Sequence, residues 1–105
     1  MTMKLKYALA AASILALGFA GTSSAEVDAK AAQALAKAER CTKCHDVEKD
    51  KKGPSFKSMA AKYKGKADAE AGLVKFLSTG PNDHAVVSKG DAAAIKNLAA
   101  WILSN

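Results

Sequence analysis

The chain of 105 residues is half apolar and carries 16 Lys plus Arg against 10 Asp plus Glu, a formal net charge of +6. That length allows one domain at most. A charged fraction of 25% and only two prolines exclude a disordered or low-complexity protein, and no apolar run reaches the ~20 residues of a membrane-spanning helix. A soluble globular domain is expected.

Residues 1–25 read as a cleaved export signal peptide. Lys4 and Lys6 form a positive start, Tyr7 to Ala20 an apolar stretch, and Ser23-Ser24-Ala25 a small-residue cleavage site before Glu26. An uncleaved anchor fits less well, because the apolar stretch is short and no stop-transfer pattern follows it. The mature domain is then 26–105, with no stable membrane insertion once the signal is gone. Cleavage removes two lysines and no acid, leaving 14 Lys plus Arg against 10 acids, a net +4. Its large apolar side chains are few for roughly 80 residues, so a disulfide, metal, cofactor or partner must supplement the core.

Helical spacing runs through almost the whole mature part. Over 27–39, Val27, Ala31, Leu35 and Ala38 form one stripe among strong helix formers. The stretch 55–63 places Phe56, Met59, Ala60 and Tyr63 at i, i+3, i+4 and i+7, entered through Gly53-Pro54 and closed near Gly65. In 68–77, Leu73, Phe76 and Leu77 share a face, with Asp68 and Glu70 where the helix dipole favours acids. Asp91 is placed to cap a last helix whose apolar face is Ile95, Leu98, Ala99 and Ile102, with Trp101 and Leu103 beside it. No segment alternates long enough to predict a strand. The irregular stretches 41–54 and 79–90 are therefore where function should concentrate.

Cys41-Thr42-Lys43-Cys44-His45 is the most specific signal, because C-x-x-C-H is the attachment site of c-type haem. Positions i, i+3 and i+4 fall on one side of a helical turn, so both thiols can reach one porphyrin edge while the histidine swings under the iron. A thioredoxin-like dithiol would need a βαβ pattern, which is missing. A zinc site from Cys41, Cys44, His45 and His84 has unsuitable spacing. A Cys41–Cys44 disulfide would close too short a loop to stabilise much.

The mature chain resembles the bacterial class I cytochromes c. The resemblance rests on the run from Ala38 to His45, on Lys52-Gly53-Pro54-Ser55-Phe56-Lys57 with Ala60-Ala61-Lys62-Tyr63, and on Leu98-Ala99-Ala100-Trp101-Ile102-Leu103-Ser104. It implies an all-α fold, a small helical bundle in which the first and last helices cross around one haem c, held covalently through Cys41 and Cys44 with His45 on the iron. It also implies that the Pro54 carbonyl accepts the Nδ1–H of His45, fixing its tautomer. Pro54 also suits the first position of a helix after Gly53. Phe56, Tyr63, Phe76 and Trp101 read as core or haem-packing residues on apolar stripes.

The family's sixth ligand is normally a methionine in the loop before the last helix, and 79–90 contains none. His84 is the only strong donor there, so a bis-histidine haem is expected. Met59, the sole methionine of the mature chain, falls on the Phe56/Tyr63 stripe and reads as core. Lysines cluster at positions 43, 49, 51, 52, 57, 62, 64 and 66, a basic rim suited to redox partners with acidic docking surfaces. Nucleic acid is not expected as a partner. The resemblance implies a periplasmic, monomeric one-electron carrier that transforms no substrate. The competing reading is a gas-binding sensor or small haem enzyme with an open or labile sixth position.

Overall fold

The computed structural model describes residues 26–105. The expected signal peptide, 1–25, lies outside the described residues. Four helices follow in chain order: α1 (Ala29–Ala38), α2 (Phe56–Tyr63), α3 (Ala69–Thr79) and α4 (Ala92–Leu103), with single 3-10 turns at Cys41–Lys43 and Pro81–Asp83. Among the described residues the only β pairing is an isolated bridge between His45 and Asp50.

Local chemistry explains the helix starts. Asp28, Ser55 and Asp91 cap α1, α2 and α4, accepting from the backbone N–H of Ala31, Ser58 and Ala94 at 3.0, 3.0 and 2.8 Å, which satisfies donors that a helix leaves orphaned. Pro54 therefore stands before the Ser55 cap, not at the first helical position expected for it. At the other end of α3, Gly80 adopts a left-handed φ of 58°, and a side chain there would overlap the carbonyl oxygen of His84. Only glycine fits that turn.

α4 is the hub, with α1, α2 and α3 all packed on it. Ile95, Leu98, Ala99 and Ile102 are buried as expected, and Trp101, expected at the side of that face, is buried with them. The periodicity of α2 also holds: Phe56 is buried, and Met59, Ala60 and Tyr63 are half-buried behind it. For α1 the expected stripe is wrong. Val27, Ala31 and Ala38 are exposed, while Ala32 and Ala36 are buried with Leu35 beside them. Alanine occurs on every side of this helix, so hydropathy did not single out one face. The tight crossing with α4 selects it by size, since small residues let the two backbones approach.

Candidate functional site

The stretch 41–54 is built from the end of α1 outward. Arg40 takes a left-handed conformation, φ 59°, which breaks the helix and starts the 3-10 turn of Cys41–Lys43. The N–H of Cys44 and of His45 both donate to the carbonyl of Cys41, at 3.2 and 2.9 Å. That turn brings Cys41, Cys44 and His45 to one wall of a common cavity. Both thiols are free, so the short disulfide is not made. Burial, and then the neighbouring Glu39 carboxylate, push the Cys41 thiol up from its ordinary value. This opposes the depressed thiol pKa of a redox-active dithiol. Among the described residues no group of three or more His, Cys, Asp and Glu side chains gathers as a metal site.

His45 is held on three sides. Its Nδ1 lies 2.7 Å from the Pro54 carbonyl, an oxygen that can only accept, so Nδ1 carries the proton and the neutral ring keeps its lone pair on Nε2. Its ring stacks on Phe56 at 5.6 Å between centroids, and Phe56 in turn meets Trp101 of α4 edge-on at 5.2 Å. On a third side lies Gly53, where a Cβ would overlap the imidazole and stand 2.8 Å from Nδ1. The aromatic residues of α2 and α4 are thus the platform under the histidine.

Across the cavity, His84 follows the second 3-10 turn. Asn82 and Asp83 before it both have positive φ, 56° and 66°, a region these residue types tolerate better than most. The Nδ1 of His84 is 2.8 Å from the carbonyl of Ala85, which by the same argument puts the N–H on Nδ1 and the lone pair on Nε2. Phe76 packs edge-on against this ring at 4.9 Å. The His84 and His45 centroids stand 6.1 Å apart. Phe76, on the apolar stripe of α3, lines the cavity and so takes the haem-packing place expected for it, not one in the helical core.

The cavity between them has a volume of about 820 Å³ and is lined by Cys41, Cys44, His45, Pro54, Phe56, Met59, Tyr63, Leu73, Phe76, His84 and Val86 among others. Its size lies in the range that takes a cofactor, and its walls are mainly apolar with a few convergent polar groups. Two thiols, an oriented imidazole and a large apolar slot fit a covalently attached haem.

The sequence profile described as Cytochrome c matches residues 29–105. This chain belongs to the cytochrome c family. Among solved structures, the class 1 cytochrome MtoD from Sideroxydans lithotrophicus ES-1 is 46% identical with a TM-score of 0.72, covering 75% of this chain and 97% of that one. Cytochrome c-552 of Nitrosomonas europaea is 41% identical over 100 residues, covering 85% of this chain and 86% of that protein. Cytochrome c-551 of Allochromatium vinosum is 40% identical over 80 residues, covering 66% and 80%. The chain is thus a bacterial class I monohaem c-type cytochrome, with one haem c attached through Cys41 and Cys44. It is a small electron carrier, not an enzyme, and other redox proteins are its partners.

Two features of this cytochrome c escaped sequence reasoning. The edge contact of Phe76 with His84 was hidden because the two residues come from different elements and periodicity marks only the face Phe76 shares within α3. Glu39, which also lines the cavity, accepts hydrogen bonds from the backbone N–H of Ser88 and Lys89. Those amides lie 49 and 50 residues away, and no local pattern marks such a pairing.

Proposed function

We propose that this cytochrome is a periplasmic electron carrier whose haem iron is held by His45 on one side and His84 on the other. The observation that carries this reading is that the two imidazoles stand close together in the same cavity. A metal ion bonded at about 2 Å to the near nitrogen of each ring needs centroids about 6 Å apart, and the rings stand at 6.1 Å. Each ring has its Nδ1 occupied by a backbone carbonyl, leaving Nε2 as the donor.

In this reading the bound haem supplies the Fe(III)/Fe(II) couple, and the protein's residues set its surroundings. Pro54 keeps His45 in one tautomer and raises its basicity. Phe56 and Phe76 exclude water from the two rings. Without a thioether ligand, the potential lies below that of relatives with a His/Met pair.

Arg40, Lys52 and Lys62 line the cavity against the acids Glu39 and Asp83, a balance that supports docking of acidic redox partners. Lys51 contributes less than the sequence cluster implies, because its Nζ donates to the Thr42 carbonyl at 2.8 Å. Away from the cavity, the large exposed apolar residues Val27 and Val47 are isolated, in keeping with a monomer. Export rests on the signal-like residues 1–25. Among the described residues no helix is long and apolar enough to cross a membrane.

Absorption spectroscopy with carbon monoxide tests the ligand pair. Oxidised protein is expected to be low-spin without the weak near-infrared band of sulfur ligation, and His84→Ala is expected to turn high-spin and take up carbon monoxide at once when reduced. If the sulfur band is present and Met59→Leu abolishes it, Met59 is the ligand and the bis-histidine reading is wrong.

A further inference from the structure

We propose that Glu39 is a positioning residue that sets how readily His84 leaves the iron, by fastening the His84 loop to the end of α1. The inference rests on His84 being the sixth ligand.

The carboxylate of Glu39 accepts from two consecutive backbone amides, those of Ser88, at 2.8 Å, and Lys89. One Glu39 oxygen, Oε2, takes both bonds. The Nζ of Lys89 completes the junction by donating to the carbonyl of Ala38 at 3.3 Å. Glu39 itself is held at the α1 terminus, its N–H donating to the Leu35 carbonyl at 2.9 Å, and it stands two residues before Cys41. The same side chain therefore ties the attachment turn to the loop that brings in the opposite ligand.

The rest of that loop has few other fastenings. The N–H of His84 closes the local turn onto Pro81 at 3.1 Å, and the N–H of Val87 reaches the Leu77 carbonyl of α3 at 2.8 Å. Val87 is buried, so the loop is pinned at Val87 by α3 and at Ser88 and Lys89 by Glu39. Neither pin holds His84 directly. Between His84 and Val87 lie only Ala85 and exposed Val86, and the three left-handed residues Gly80, Asn82 and Asp83 precede the histidine. Such a segment keeps its ligand in place only while its surroundings over-determine it. Bonds to an ionised acceptor are the strong kind, and here they are spent on the loop that must not drift.

Reduced protein mixed with carbon monoxide reads this directly, because at saturating gas the binding rate is limited by departure of His84. Glu39→Ala is expected to raise that limiting rate by about tenfold or more, through loss of bonds to a charged acceptor. Glu39→Gln, whose side-chain oxygen is a neutral acceptor, should fall between Glu39→Ala and wild type. Asp28→Ala is the control, since it removes the cap at the far end of α1 and should leave the rate unchanged while lowering the melting temperature. Amide exchange at Ser88 and Lys89 should accelerate in Glu39→Ala.

A wild-type rate in Glu39→Ala overturns the proposal. If that variant does not fold, a wild-type rate in Glu39→Gln does so. Equal acceleration by Asp28→Ala overturns it too, by reducing the effect to general stability. Failure of the ligand reading looks different: wild-type protein and His84→Ala would then bind the gas identically, whatever occupies position 39, and both proposals would fall.

Discussion

The two loops that face each other across the cavity are built on opposite plans. On the His45 side, 41–54 is laced into its surroundings: Gly53 N–H donates to Cys44 at 2.8 Å, Lys51 to Gly53 at 2.9 Å, and Phe56 and Lys57 at the start of α2 to Asp46 and Val47 at 2.8 and 3.0 Å. Asp50 accepts from the Ser55 N–H at 2.8 Å. On the His84 side, a left-handed turn is fixed mainly at its two ends. The difference teaches that hydrogen bonds are dense where the histidine adjoins the attachment turn and sparse where the histidine comes from a distant part of the chain.

The largest expected effect comes from removing the group that fills the space between the loops. Without the group, the mainly apolar walls of a slot of about 820 Å³ lose the atoms they pack against. The haemless chain must therefore flood, collapse or unfold. Cys41→Ala with Cys44→Ala is expected to give a largely unfolded protein by circular dichroism. A cooperative melt with full helical signal would show that the four helices hold together alone.

Next in size is Gly53→Ala, which attacks the His45 loop at the imidazole itself. The added methyl overlaps His45, so the ring must leave the Pro54 carbonyl or the backbone must shift, at a cost of ~1–3 kcal/mol. A drop in melting temperature with a changed spin state is expected. The same substitution at Gly72, inside α3 with nothing near its Cβ, should stabilise by up to ~1 kcal/mol. Equal effects at the two sites would show that the His45 contact is not what constrains position 53.

Which parts were legible in the sequence follows the same division. The His45 loop could be anticipated because its chemistry is local: C-x-x-C-H closes on itself within five residues, and Pro54 lies nine residues from the histidine it orients. Phe56, Met59, Ala60 and Tyr63 were readable for the same reason, as large residues at helical spacing with charged neighbours. α1 was misread because its face is chosen by the small size of Ala32 and Ala36, a property that hydropathy ranks no differently from Ala31 or Ala38. His84 could be singled out as the only donor in its loop, but its position opposite His45 depends on tertiary packing. The tie from Glu39 to Ser88 and Lys89 joins a side chain to backbone amides, which carry no residue identity at all.

The smallest effect concerns acid. Asp46 is fully exposed, and the backbone N–H of Lys49, followed by that of Glu48, holds its carboxyl below the ordinary carboxylate value. The folded state therefore favours the ionised form. Its contribution is present above the ordinary aspartate value of about 3.9 and is lost as pH falls through the lower folded value. Asp46→Asn should lower stability slightly at neutral pH and flatten acid unfolding in that window, the two proteins converging once Asp46 is protonated. A steeper acid transition in the variant would mean that the two amides do not favour the ionised carboxylate.

Arg40 sits in the left-handed region where the chain leaves α1. Glycine there would relieve ~1–2 kcal/mol of steric cost, yet its looser unfolded chain would give back ~0.5–1 kcal/mol of that. The balance leaves glycine between level with arginine and about 1.5 kcal/mol more stable at position 40. Arg40→Gly should therefore leave the melting temperature unchanged or slightly raised, while taking a guanidinium away from the lip of the cavity.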